Sequence, residues 1–252
     1  MNISTISLLI KRQFKENSKI YGIGLLVLIA LLLFMFLIVH QWQDSFAGAV
    51  QNGVFVIGLF IAGGVFSNSM FQEFSNPQSG IWLLSIPATH GEKVATSILI
   101  SVLFFLLTYF PTFYLADTLY LLATNQFSID TILNPFKDGF YQFLFFYFLF
   151  NGFILLGSVI FKKHSFIKTL LAMILLIVLF NYVNTLMLQS LIPDANVVST
   201  TAFDSFLFRH EGENIKVSLL GNSDFLSAVF VRFILPVAIW FTVWLKLKEK
   251  QI

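Results

Sequence analysis

Reactive chemistry needs side chains that can ligate, attack or shuttle protons together, and this sequence gives them no common place. It contains no cysteine, which removes disulfides, zinc–thiolate sites and thiol nucleophiles at once. His40, His90, His164 and His210 fall in four separate segments, so no histidine metal set is expected. There is no GxxxxGK[ST] loop to cradle a nucleotide's phosphates and no HExxH helix to hold zinc. Proteolysis within a membrane would need facing aspartates or a Ser partnered by His, and neither pattern is present. The chain reads as a non-enzyme with no metal and no cofactor of its own.

What remains is a small set of polar side chains inside long apolar runs. Arg232 lies about seven residues into the last run, roughly 10 Å deep by helical rise. An Arg at mid-membrane costs at least about 2.5 kcal/mol on insertion scales. It either snorkels to the far surface or pairs with Asp224, or it lines a cavity and meets an anionic group of a substrate. Asn151, Asn181 and Asn184 are also embedded, and Asn181 and Asn184 share a helix face by their spacing. Interhelical hydrogen bonding is their default use. All four are candidates for a substrate pathway.

The elements that position these residues follow from composition. Hydrophobic residues make up 57% of the 252 and charged residues only 11%, against about 25% charged in soluble domains. A water-facing surface cannot be assembled from that inventory, so the class is an all-α polytopic membrane protein forming a single transmembrane domain. Six apolar runs are long enough to cross about 30 Å of hydrocarbon, at roughly 20–39, 48–66, 94–115, 140–161, 169–191 and 225–245. The first lacks the short apolar core and cleavage site of a signal peptide and is read as a retained span. Residues 2–19 place Ile3, Ile6, Leu9, Ile10 and Phe14 on one side and Lys11, Arg12, Lys15, Glu16 and Lys19 on the other, the pattern of an amphipathic helix lying in the headgroup plane; the alternative is an ordinary positively charged flank of the first span. Ala49 and Gly53, and Gly58 and Ala62, have the small-xxx-small spacing of close helix packing.

Punctuation between the runs is specific in three places. Thr89 and Glu92 have capping-box spacing at the start of the third span. Pro111 is expected to kink or end that span, leaving 116–139 as a loop containing Asp117. Within the polar segment 192–224, SFLFRHEGENIKVSLL reads as two strands about a Glu-Gly-Glu-Asn turn, or alternatively as a loop-embedded helix. Eleven of the fifteen Lys and Arg residues fall on one side of the six spans. By the positive-inside rule that side is cytoplasmic and holds both termini. The bases cluster at membrane flanks, so membrane lipid is an expected partner and nucleic acid is not.

Residues 67–93 connect the second and third spans on that base-rich side. They carry only Glu73, Glu92 and Lys93 as charges, yet include Met70, Phe71, Phe74, Ile81, Trp82 and Leu83. So apolar a segment is unlike a solvated loop and suits short helices lying against the membrane or a docked protein. The run Phe71-Gln72-Glu73-Phe74, a polar break, then Gly80-Ile81-Trp82-Leu83-Leu84-Ser85-Ile86-Pro87-Ala88-Thr89 and Glu92-Lys93 resembles the same segment of ABC-2-type transporter permeases. That resemblance implies a six-helix subunit that dimerises with a second copy or a homologous permease and carries two cytoplasmic ABC ATPase subunits. ATP and Mg would be bound by those partners. The loop 67–93 would then be the coupling element, with Phe71, Glu73, Phe74 and Trp82 toward the ATPase, and the N-terminal helix would brace the assembly. Family members carry hydrophobic helical hairpins before the last span, whereas residues 192–224 here are more polar.

The expected function is the permease subunit of an ATP-driven exporter of amphipathic or hydrophobic cargo in the cytoplasmic (inner or plasma) membrane. The alternative is a non-transporting six-span scaffold or assembly factor, anchoring an envelope complex through 192–224. A passive channel is disfavoured, because no span carries a ring-forming run of charged or hydroxyl residues.

Overall fold

A computed structural model describes residues 2–42, 47–71, 86–125, 127–128, 131–134, 141–191, 196–200, 205–210, 213–218 and 229–249. Six of its helices are long and apolar enough to cross a membrane. They are α1 (Ile3–Trp42), α2 (Ala47–Ser69), α3 (His90–Ala123), α4 (Tyr141–Ile160), α5 (Ser165–Leu191) and α6 (Phe230–Glu249). Between α5 and α6 a three-stranded antiparallel sheet joins β1 (Asn196–Thr200), β2 (Ser205–His210) and β3 (Glu213–Ser218) in sequential order. His210 pairs with Glu213 and Ser205 with Ser218. The strand reading of that stretch, not the loop helix, is the one seen, and the sheet is an addition to the all-α expectation.

Two helices depart from the sequence reading. The interfacial helix over 2–19 and the first span are one uninterrupted helix, α1, of 40 residues, about 60 Å long at helical rise. Nothing at the junction breaks it, and Asn17 bonds back to the Gln13 carbonyl at 3.2 Å. Part of its apolar face is covered by the chain itself instead of by lipid headgroups. Ile6 is buried, Ile10 packs on a buried cluster, and Phe14 meets Phe104 edge-on at 4.9 Å.

The second departure is α3, which runs through Pro111 to Ala123 instead of ending near 115. The ring is exposed and so clashes with no neighbouring helix. Flanking it, the Thr108 and Thr112 hydroxyls bond back to the Phe104 and Thr108 carbonyls, four residues before each. Asn125, at φ 54°, closes the end, a position where Asn is tolerated. Asp117 therefore sits on a helix and not in a loop.

Within α3, Leu99–Phe104 is a π-helical segment. Buried residues recur at every fourth position: Lys93, Ser97, Ser101, Phe105, Tyr109, Phe113, Asp117 and Leu121. A repeat of 4 is longer than the 3.6 residues of an α-turn, so a straight α-helix would rotate this seam away from its partners. The wider π turn supplies part of the missing rotation.

The core lies between α1, α2, α3 and α4 and is largely aromatic. Phe36 stacks on Tyr120 at 4.7 Å, Phe55 meets Phe113 edge-on at 5.0 Å, and Phe105 stacks on Tyr147 at 5.7 Å. A second cluster at the base-rich end joins Met70, Phe71, Val94, Leu155, Val243 and Leu247. Close approach is made at Gly58, where an added Cβ would lie 2.8 Å from Leu32 and Tyr109, and at Gly63 against Tyr147 and Phe105. Gly53 opens on space, so the spacing that pairs it with Ala49 marks no contact at that glycine.

Candidate functional site

At the base-rich end the exit of the loop 67–93 is built from local signals. Thr89 caps α3: its hydroxyl accepts from the Glu92 N–H, and the Glu92 carboxylate accepts from the Thr89 N–H at 2.9 Å. This is the box that the spacing predicts. The second oxygen of Glu92 accepts from the backbone N–H of Asn2 at 2.7 Å, a link of 90 residues that the sequence does not announce. One carboxylate thus ties the start of α1 to the start of α3. At the far end of the same pair, His40 and the Tyr120 hydroxyl lie 3.1 Å apart. Helices α1 and α3 run parallel and are fastened at both ends.

The loop's entry is fixed in a different way. Phe71 is only 1% exposed and belongs to the cluster with Val94, Leu155 and Leu247. Its ring anchors the loop's entry in that cluster. The remaining coupling candidates Glu73, Phe74 and Trp82 lie outside the described residues.

The four pathway candidates occupy three separate environments. Asn151 is fully buried and donates to Ser67 Oγ at 2.7 Å and to Ser101 Oγ at 2.9 Å. Tyr147, one turn before it, donates to the Ser101 carbonyl at 2.8 Å, and Ser67 donates to the Gly63 carbonyl at 2.6 Å. The result is a polar knot joining α2, the π segment of α3 and α4. Asn181 is exposed and Asn184 half-buried on α5, most of whose apolar side chains face outward. Arg232, on the π-helical start of α6 (Phe230–Ile234), holds its guanidinium 5.8 Å over the Phe145 ring. Its suggested partner Asp224 lies outside the described residues.

A further polar cluster is not singled out by pattern. Asp117 is fully buried and accepts from Gln51 Nε2 at 2.9 Å, while the same amide donates to the Thr131 carbonyl at 2.9 Å. The Tyr114 hydroxyl donates to the Leu133 carbonyl at 3.3 Å. Together they pin residues 131–134 to α2 and α3. The signal is present in the sequence as a lone acid among apolar residues with Gln51 opposite, but it is hidden once Pro111 is taken as a stop. Among the described residues no group of three His, Asp or Glu side chains could hold a metal. No protein-family model, curated protein or solved structure matches this chain.

Proposed function

We propose that the chain is the membrane subunit of an ATP-driven transporter, coupled to a separate ATPase through residues 67–93. The observation that carries this reading is how that segment is tied. Its entry is locked by Phe71 into the base-rich core, and its exit is locked by Glu92 to α1 and by the Thr89 cap to α3. A push on the apolar run between them reaches three helices at once, which suits the coupling role that the motif around Phe71, Glu73 and Trp82 implies. Nucleotide-driven movement of the ATPases would bias the bundle between two arrangements, by differential affinity for each. The base-rich end is then cytosolic, in keeping with the positive-inside rule, and the membrane is the cytoplasmic one. The outward apolar face of α5 suits lipid or a second copy, and apolar walls suit amphipathic cargo for export.

The test is purification of the tagged chain from its native membrane, followed by mass spectrometry of whatever accompanies it. A P-loop ATPase is expected to co-purify, and Glu73→Arg should weaken its retention and its stimulated hydrolysis while membrane insertion stays intact. A chain that purifies without any nucleotide-hydrolysing partner, or an ATPase indifferent to Glu73→Arg, refutes the assignment.

A further inference from the structure

Helix α5 is seated on the bundle near its base-rich end. The Ser165 hydroxyl donates to Asn68 Oδ1 at 2.7 Å, and Thr169 is buried against Gly157. Beyond Met173 the helix stands clear: ten consecutive residues, Ile174 to Val183, are exposed. Ten residues make almost three turns, so the exposure goes all the way round and runs about 15 Å along the axis. Eight of the ten carry pure hydrocarbon side chains, which lipid accommodates. Asn181 does not fit that setting. It lies 13 positions past Lys168, about 20 Å by helical rise, and so within the roughly 30 Å of hydrocarbon. Its carbonyl accepts from Thr185 at 2.8 Å, but its side-chain amide makes no hydrogen bond among the described residues. Lipid tails offer none either.

A partner at that depth must bring both a donor and an acceptor for the amide. A second copy of this chain supplies them without further requirement. Two copies inserted in the same direction are related by a two-fold axis along the membrane normal, which sets each residue of α5 level with its own counterpart. A carboxamide is self-complementary, so Asn181 can pair reciprocally with itself. No charged residue lies between Lys168 and the end of α5 at Leu191, so the facing helices carry nothing that repels. We propose that two copies of the chain associate through α5, with the Asn181 amides hydrogen-bonded to each other across the axis. Ile177 and Asn184, about a turn to either side on the same face, flank that pair. This assignment rests on the membrane architecture and not on transport.

The chain has no cysteine, so a single introduced thiol reports on one position. Full-length Ile177→Cys protein, reconstituted in phosphatidylcholine vesicles at high lipid dilution, should form a disulfide-linked dimer under mild oxidation. Phe34→Cys should not: Phe34 is as exposed on α1 as Ile177 is on α5, 62% against 58%, and lies about 20 Å past Ile20. Adding Asn181→Leu to Ile177→Cys should weaken dimerisation about eightfold, read as the shift in the lipid dilution at which half the protein cross-links. That is the effect of two reciprocal hydrogen bonds of the average strength found between membrane helices. Asn181→Gln in the same background should restore most of it. No cross-link from Ile177→Cys, equal cross-linking from Phe34→Cys, or undiminished dimerisation with Asn181→Leu overturns the proposal. A monomeric chain that still retains an ATPase would overturn this proposal alone and leave the transport reading standing.

Discussion

Replacing Asn151 by leucine nearly conserves volume and removes one buried amide that holds three helices. The amide donates to Ser67 Oγ at 2.7 Å and Ser101 Oγ at 2.9 Å, with every participant buried. Hydrogen bonds between membrane helices average about 0.6 kcal/mol and reach about 1.7. Two of them sharing one donor group therefore give about 1–3 kcal/mol. Ser67 keeps its bond to the Gly63 carbonyl, so the loss is expected near the middle of that range, about 2 kcal/mol, with Ser101 the residue most affected. Reversible unfolding in mixed micelles, titrated with a denaturing detergent, measures it. A double-mutant cycle with Ser101→Ala should return a coupling of about 1 kcal/mol. If Asn151→Leu unfolds within about 0.3 kcal/mol of the native chain, or the two substitutions add without coupling, the knot does not hold the bundle together.

Two other substitutions probe separate contacts. Gly157→Ala would drive a Cβ into the Thr169 side chain, whose hydroxyl is fixed to the Ser165 carbonyl at 2.7 Å. Parting α4 from α5 should cost about 1–3 kcal/mol by overpacking, and Thr169→Ala in the same chain should recover much of it in the same unfolding assay. Asp117→Asn keeps an acceptor for Gln51 and should change stability by less than about 1 kcal/mol, whereas Asp117→Leu leaves the buried Gln51 amide without that acceptor, at a cost of about 1–3 kcal/mol. The leucine variant should also speed tryptic cleavage at Lys137, since residues 131–134 lose part of their tether to α2; equal rates for both variants would count against that tether.

Hydropathy made the six spans legible because an uncharged run of about 20 residues has few fates other than crossing a bilayer. The Thr89–Glu92 cap was legible for a similar reason: both partners lie within one turn. Contacts between distant segments were not. Nothing in the sequence around Asn2 announces that it meets Glu92, and Asn151, Asn181 and Asn184 look alike by pattern although only Asn151 is fully buried. The amphipathic pattern of 2–19 correctly marks a helix with an apolar side, but that pattern is the same whether lipid or protein covers the side. Pro111 misled because a proline's cost depends on what surrounds its ring, and here the ring faces outward.

The π segment of α3 has a consequence for insertions and deletions. It acts as a phase slip of about one residue, roughly 100° of azimuth, placed between the half of the helix that carries Lys93 and Ser97 and the half that carries Tyr109, Phe113 and Asp117. Excising a single residue from 99–104 would let the segment close into ordinary α-helix while leaving both halves aimed as they are. The same excision a few turns later would swing every side chain beyond it out of alignment.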